Sequence, residues 1–301
     1  MFTGGLLSPT LTPIDPHTLA IDVERLANHC NWLLTKGCHG IVLFGTTGEA
    51  ASFSAKERMA ALESILDRGV PADRLMVGVG TCSLTETAEL GNHALQVGVK
   101  DLLVLPPFYY KNPDDQGLID HFEAVAARLD EHKPALHLYH IPPVAGVGFS
   151  VELVGKLRER LPQIVGIKDS SGDWNNTEAL INAHPGLAVF CGSEVFLLDT
   201  MRAGGAGCIT ATANVNASGI RTLYDSWQDN DADAQQASIT DFRKRVQKAK
   251  PVPAMKALLA HHRADSAWNT LRPPFRPLTV EQRDALEADL TESAFGIPTL
   301  T

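Results

Sequence analysis

Short apolar or β-branched runs alternate along the chain with longer segments whose apolar residues recur at helical spacing. This alternation is typical of parallel strands that are joined by crossover helices. Eight runs are predicted as strands, over residues 6–12, 40–44, 75–79, 101–105, 135–140, 164–168, 188–191 and 207–210. Eight strand–helix units in roughly 210 residues favour a closed (β/α)8 barrel over an open doubly wound sheet, the other arrangement that this pattern allows.

Helices are predicted between the strands, over residues 22–35, 54–66, 85–97, 116–129, 151–161, 175–184 and 194–203. Their expected N-terminal signals are Ser54 with Glu57, Thr85 and Ser150. Glycines follow three of these segments where a left-handed residue often ends a helix, at Gly37, Gly98 and Gly204. Four more helices are predicted over residues 218–228, 233–248, 252–262 and 280–290. The expected architecture is therefore an α/β protein, a (β/α)8 TIM barrel with a C-terminal helical extension.

The domain prediction follows from this pattern. Residues 1–212 are predicted to form the catalytic barrel core, and residues 213–301 the final barrel helix and the C-terminal extension. No internal repeat beyond the strand–helix unit and no low-complexity linker interrupts the 301 residues.

Composition narrows the class of protein. The formal net charge of −9 gives no overall attraction to nucleic acid or to an anionic membrane. The five cysteines are an odd number without a CxxC pair, which favours a reduced, cytoplasmic protein. The N-terminus lacks the pattern of a secretory signal, and no run approaches the ~18 apolar residues of a membrane span.

Motifs for several common chemistries are missing from the sequence. It contains no GxGxxG after the first strand, no GxxxxGK[ST], no HExxH and no GxSxG. The eleven histidines are scattered, and no histidine–cysteine cluster has the spacing of zinc ligands. We therefore expect neither a metal nor a nucleotide cofactor.

Catalytic residues of a barrel lie at the C-terminal ends of its strands, so polar residues after each apolar run are the candidates. Lys168 ends the run Ile164 to Ile167, with an apolar strand behind it. Burial favours the neutral amine that attacks a carbonyl, and the alternative is an ordinary lysine at a strand end. Asp169 should point to the opposite side of the strand, and no catalytic role is assigned to it.

Two further strand ends carry candidate groups. Tyr139 ends the fifth predicted strand, and a phenol beside a Schiff base can move protons, although strand-end tyrosines are often only packed. His140 should face away from Tyr139, and a structural role is favoured for it. After strand 2, the turn Gly45-Thr46-Thr47-Gly48-Glu49 offers hydroxyls and amide donors that suit a carboxylate; alternatively, it simply joins a strand to a helix.

Other rim positions have two interpretations each. Tyr109, next to Tyr110 after strand 4, belongs either to a lid or subunit contact or to the site itself. Ser193 and Glu194 after strand 7 suit the hydroxyls of a substrate, but Ser193 could equally cap the helix that begins at Glu194.

Together, these motifs resemble the dihydrodipicolinate synthase and N-acetylneuraminate lyase family, in the same order over the whole chain. The resemblance lies in four segments: Pro9-Thr10-Leu11-Thr12-Pro13, Gly45 to Glu49, Tyr139-His140-Ile141-Pro142, and Gly166-Ile167-Lys168-Asp169-Ser170-Ser171-Gly172-Asp173. Four motifs in order are far more specific than any one of them.

The resemblance implies the roles of the site residues. Lys168 would form an imine with pyruvate or with the 2-oxo group of a longer acid, Tyr139 would relay protons, and Thr46 and Thr47 would hold the carboxylate. Tyr109 would reach the site of a neighbouring subunit in a homotetramer made of tight dimers, and no cofactor is needed. The remaining substrate-binding candidates are Gly48, Ser170, Ser193, Glu194 and Ile209.

Departures from the family pattern indicate which substrate to expect. Val144 stands where the lysine-pathway synthases of the family carry an arginine, and valine cannot supply the paired donors of a guanidinium. Neuraminate lyases have an acid where this chain has Ser193, and a serine where it has Ala211. The Ser170 to Asp173 segment is closer in sequence to aldolases of 2-keto-3-deoxy sugar acids.

We therefore predict reversible cleavage of such an acid to pyruvate and an aldehyde. The alternatives are a condensing synthase, N-acetylneuraminate lyase, hydratase-aldolase or dehydratase chemistry, and a non-catalytic pyruvate-binding protein.

Overall fold

Eight short, buried strands form one closed parallel barrel in the computed structural model, in the order of the chain. The structure describes residues 1–129 and 134–292. The strands are β1 (Gly5–Pro9), β2 (Gly40–Leu43), β3 (Leu75–Gly78), β4 (Asp101–Val104), β5 (Ala135–His140), β6 (Ile164–Asp169), β7 (Ala188–Cys191) and β8 (Gly207–Ile209). The predicted (β/α)8 barrel is confirmed, and the alternative of an open sheet is wrong.

Helices follow the strands and continue past the barrel. They are α1 (Val23–Thr35), α2 (Ala55–Asp67), α3 (Leu84–Gln96), α4 (Asp115–Ala126), α5 (Pro142–Ala145), α6 (Val151–Arg160), α7 (Trp174–Ala183), α8 (Leu197–Arg202), α9 (Ala213–Asp225), α10 (Ala232–Lys248), α11 (Pro251–His262) and α12 (Val280–Thr291). The predicted C-terminal helices are present as α10 to α12. None of the helices in the described ranges is long and apolar enough to cross a membrane.

Most predicted helix signals are confirmed. Ser54 and Glu57 form a reciprocal capping box, and the Ser150 side chain accepts a hydrogen bond from the Leu153 amide. The three expected stops have positive φ, at Gly37, Gly98 and Gly204. The predicted cap at Thr85 is wrong, because the Ser83 side chain accepts from the Glu86 amide and the helix begins at Leu84.

Several boundaries differ from the prediction for local reasons. β2 ends before Phe44, because Phe44 has a φ of 55° and so leaves the β region. The helix predicted from residue 194 begins as a 3-10 turn, Glu194–Phe196, and becomes α-helical only at Leu197. The helix predicted from residue 218 starts at Ala213, and Asn216 interrupts its geometry with a φ of −148°.

The backbone divides into two compact units. The first comprises Met1–Gly5 and Pro71–Ile209, and the second comprises Leu6–Val70 and Thr210–Thr301, whose last nine residues lie outside the described part. In the first unit, the buried Asp101 at the start of β4 accepts a hydrogen bond from the Phe2 amide and lies 2.9 Å from His137 Nε2. This contact fixes the N-terminal residues of the chain beneath β4 and β5.

The second unit contains a buried polar centre around Asn214. The Asn214 Oδ1 atom accepts from the Leu11 amide and lies 3.0 Å from His29 Nε2. On its other side, His29 Nδ1 lies 3.2 Å from Arg263, and Trp268 packs edge to face against the imidazole. Because the guanidinium is always a donor, Nδ1 must accept and Nε2 must donate, so His29 is neutral.

Titration of His29 should make unfolding depend on pH. Burial and the Arg263 charge lower the pKa of His29 from 6.5 to about 3. The unfolded chain therefore binds a proton that the folded chain rejects, so this contribution to stability is complete above pH 6.5 and is lost as the pH falls towards 3. We expect the free energy of unfolding to drop by about 1.4 kcal/mol per pH unit in this window from His29 alone.

Urea denaturation at pH 7.5 and pH 5 measures this dependence. A His29→Gln chain should show a smaller difference between the two conditions than the wild type, whereas His17→Gln, at an exposed position, should not change it. An equal difference in the wild type and in His29→Gln would contradict the assignment.

Candidate active site

Lys168 lies one residue before the end of β6, with its side chain buried at 3% exposure. The strand register pairs Lys168 with Tyr139 on β5, so both side chains leave the barrel wall on the same side. The Lys168 Nζ atom is 4.2 Å from the centre of the Tyr139 ring. The structure thus brings together the two residues that the sequence analysis selected for the chemistry.

The Lys168 amine has no carboxylate partner among residues 1–129 and 134–292. A carbonyl carbon could therefore approach Nζ without displacing an ion pair. Tyr139 is buried as well, at 3% exposure, so its phenol would act in an environment where hydrogen bonds and charges are poorly screened.

On the opposite side of the same strands, Asp169 and His140 form a separate polar group. The Asp169 carboxylate accepts from the Ser171 amide at 2.9 Å, from Asn176 at 3.0 Å and from the Thr177 hydroxyl at 2.6 Å. His140 Nδ1 accepts from the Phe149 amide, and burial lowers the pKa of this histidine. These contacts hold the chain that follows Lys168, as expected for residues with structural roles.

The ends of β6 and β7 approach each other closely. The Gly192 amide donates to the Asp169 carbonyl at 2.6 Å, and a β-carbon at Gly192 would lie 2.0 Å from the Ser170 hydroxyl oxygen. Only glycine therefore fits at position 192. Ser170 and Ser193 follow these two strand ends and are half-buried, so their hydroxyls remain partly accessible.

The remaining candidates of this unit differ in accessibility. Ser193 caps the 3-10 turn by accepting from the Val195 amide, in line with its structural interpretation. Glu194 and Ile209 are fully buried. Tyr109 is 74% exposed and packs edge to face against Tyr110, so it does not join the buried pair of Lys168 and Tyr139.

In the second unit, the loop after β2 is a tight turn. The Glu49 amide donates to the Thr46 carbonyl at 3.1 Å, and the Thr12 hydroxyl donates to the Gly48 carbonyl at 2.7 Å. A β-carbon at Gly48 would lie 3.0 Å from the Thr10 carbonyl oxygen, so a larger residue would be tightly packed at this position. Thr46 is exposed and Thr47 is half-buried, which leaves their hydroxyls accessible.

A buried ion pair, not anticipated from the sequence, supports this turn. Lys256 on α11 donates to Glu49 Oε1 at 2.6 Å and to the Thr270 carbonyl at 3.0 Å, and both charged side chains are fully buried. Burial raises the pKa of Glu49 and lowers that of Lys256, and the ion pair opposes both shifts. In the sequence, the feature that could have indicated this ion pair is a single lysine inside the apolar run Pro251 to Ala260.

Val144 lies on the short helix α5 and is 65% exposed. A cation near this helix is Lys111, whose amine donates to the Ala145 carbonyl at 2.7 Å and also to the Phe108 carbonyl. Lys111 was not singled out in the sequence, because a lysine in a polar loop carries no distinguishing pattern.

A closed (β/α)8 barrel with a buried amine beside a phenol at its strand ends is the architecture of a class I aldolase. The model of the Dihydrodipicolinate synthetase family matches residues 2–293. An uncharacterized DapA-like lyase from Chloroflexus aurantiacus is 36% identical over 287 residues, or 94% of this chain and 95% of the relative. The chain belongs to the dihydrodipicolinate synthase family.

Two solved structures are similar over nearly the whole chain. Dihydrodipicolinate synthase from Agrobacterium tumefaciens has a TM-score of 0.89 at 33% identity, covering 96% of this chain and 99% of that one. A prophage protein of the same family from E. coli K12, in complex with pyruvate, has a TM-score of 0.87 at 27% identity, covering 97% and 99%.

Family membership establishes the class of chemistry. The protein is a carbon–carbon lyase of the class I aldolase type. Aldolases of this family use a lysine Schiff base with pyruvate and need no cofactor.

Proposed function

We propose that the enzyme reversibly cleaves a 2-keto-3-deoxy sugar acid to pyruvate and an aldehyde. The observation that carries the proposal is Val144, an exposed apolar residue where the resemblance to the synthases of the family calls for a guanidinium. Valine offers no donor to bind a second carboxylate of a substrate, whereas a substrate whose carbon chain carries hydroxyl groups does not need a cation there. The accessible hydroxyls of Ser170 and Ser193 suit such a substrate.

In the proposed mechanism, the Lys168 amine attacks C2 of the substrate, and loss of water from the carbinolamine gives the imine. The bond between C3 and C4 then breaks, and its electron pair moves to the imine nitrogen to form an enamine. Tyr139 takes the proton of the C4 hydroxyl, and the fragment that contains C4 leaves as the aldehyde. Protonation of the enamine at C3 and hydrolysis of the imine release pyruvate and restore the amine.

We propose that the turn after β2 binds the substrate carboxylate. Thr46 and Thr47 would donate from their hydroxyls, and the close-packed Gly48 would let the backbone approach. The support for this role is the resemblance of Gly45 to Glu49 to the carboxylate-binding loop of the family, together with the accessibility of both threonines.

A second candidate is 4-hydroxy-tetrahydrodipicolinate synthase, since that name is borne by a relative from Thermus thermophilus that is 32% identical. Lys111, beside α5, is the side chain that could replace the missing arginine in such an enzyme. It already donates to two carbonyl groups, which leaves one of its three donors for a ligand.

A panel of substrates separates the candidates. It contains several 2-keto-3-deoxy sugar acids, N-acetylneuraminate, and aspartate semialdehyde with pyruvate, and released or consumed pyruvate is measured. We expect the highest kcat/KM for a 2-keto-3-deoxy sugar acid. A higher value for aspartate semialdehyde would overturn the proposal in favour of the synthase, and loss of water without an aldehyde product would indicate a dehydratase.

We further propose a homotetramer made of tight dimers, in which Tyr109 contacts a neighbouring subunit. The supporting observation is the exposure of Tyr109 and Tyr110, at 74% and 71%, because adjacent aromatic rings are unusual on a free surface. Sedimentation of a monomer at micromolar concentration would contradict this assembly.

A further inference from the structure

A cavity of about 600 Å³ lies among the C-terminal helices of the second unit, between the end of α10 and one face of α12. Four cationic side chains line it, and the single carboxylate in its lining is Asp289: the cations are Arg245, Lys248, Lys250 and Arg276. This excess of positive charge occurs in a chain whose formal net charge is −9. We refer to it as the cationic cavity.

Two of these cations are already neutralised. Arg245 binds the Asp241 carboxylate at 2.8 Å and also the Asp289 carboxylate. Lys248 lies 3.5 Å from the second oxygen of Asp289. Two cations therefore share two carboxylates, and this part of the cavity needs no further anion.

The other two cations are not neutralised within the part of the chain that the structure describes. Neither Lys250 nor Arg276 has an ion pair there, and both side chains are exposed at the cavity. Lys250 has a φ of 63°, in the left-handed region that favours glycine, and it precedes Pro251. Lys250 thus has a backbone conformation in which glycine would be less strained.

The rest of the lining suits an organic molecule. Gln282, Ala285, Leu286 and Asp289 occupy one face of α12, and Leu278 precedes this helix. The lining therefore offers apolar surface beside the two free charges.

We propose that the cationic cavity binds a small organic anion, whose carboxylate or phosphate group is held by Lys250 and Arg276. Its apolar part lies against Leu278 and Leu286. This site is separate from the chemistry proposed for Lys168, and it assigns a binding function to the C-terminal helices.

Titration calorimetry with three probes tests the site: pyruvate, inorganic phosphate and phosphoenolpyruvate. The protein is the full chain carrying Lys168→Ala, so that pyruvate cannot form an imine. We expect at least one probe to bind, and we expect Lys250→Ala with Arg276→Ala to weaken that binding at least tenfold. Binding of phosphate but not pyruvate identifies a phosphate site, and the converse identifies a carboxylate site.

The matched control is Lys244→Ala with Arg283→Ala. These two cations lie on α10 and α12, the helices that border the cavity, but they are not part of its lining, and their removal changes the net charge by the same amount. Equal weakening by both double variants, or no binding of any probe, overturns the proposal. Borohydride trapping of pyruvate in the chain with an intact Lys168 reports on the proposed function independently, so failure of one proposal is distinguishable from failure of the other.

Discussion

A Lys168→Ala chain should lose turnover by about 10⁴-fold or more, because the substitution removes the amine that we propose forms the imine, which serves as the electron sink. The substitution removes a buried side chain that has no ion pair within the described residues, so the barrel should still fold. The loss should therefore appear in kcat and not in the far-ultraviolet circular dichroism spectrum.

Intact-protein mass after borohydride reduction with pyruvate identifies the lysine directly. The wild type should gain one pyruvate-derived adduct per chain, and Lys168→Ala should gain none. Lys111→Ala is the matched lysine control and should keep the adduct, because its amine binds two backbone carbonyls. An unmodified wild type, or an adduct that persists in Lys168→Ala, would rule out the assignment.

Tyr139→Phe separates the amine from the proton relay in the same assay. The ring that lies 4.2 Å from Nζ is retained, so packing around Lys168 should not change. We expect the adduct to form more slowly but completely, while turnover falls about 10²-fold or more.

The barrel and the Lys168–Tyr139 pair could be predicted because both follow from the alternation of side chains along a strand. β5 and β7 have the predicted bounds, and the register that places Tyr139 beside Lys168 also places His140 beside Asp169. A period of two residues predicts that successive side chains lie on opposite sides of the strand, which separates Tyr139 from His140 and Lys168 from Asp169. The catalytic roles of Lys168 and Tyr139 rest on the resemblance to the family and stay a prediction.

The parts that could not be predicted depend on contacts between distant residues. Glu49 and Lys256 are separated by 207 positions, and no local pattern indicates that one charge neutralises the other. The apolar side chain of Phe44 predicts the last residue of a strand, but its backbone has a positive φ. The exposure of Tyr109 could not be predicted either, because it depends on which residues of the folded chain surround the loop after β4.

Lys256→Met should be strongly destabilising, although it replaces a charged residue by an apolar one of similar size inside an apolar helix. The substitution removes the ion-pair partner of the buried Glu49 carboxylate, and breaking one side of a buried pair costs about 3–5 kcal/mol. The remaining carboxylate would be neutralised only by taking up a proton, so the loss should shrink as the pH falls. Urea denaturation at pH 7.5 and pH 5 measures both effects.

The double variant Glu49→Gln with Lys256→Met decides whether the loss comes from the unpaired charge. Without any buried charge, it should recover part of the stability that Lys256→Met loses, because two neutral side chains avoid the desolvation of ions. Lys156→Met is the matched control, since it breaks an exposed pair with Asp115 at 3.2 Å and should cost less than about 1 kcal/mol. If Lys256→Met were no more destabilising than this control, the buried pair could not be what holds the turn from Gly45 to Glu49. If the double variant folds but its KM for the substrate rises while kcat is kept, the pair also positions the turn for the carboxylate.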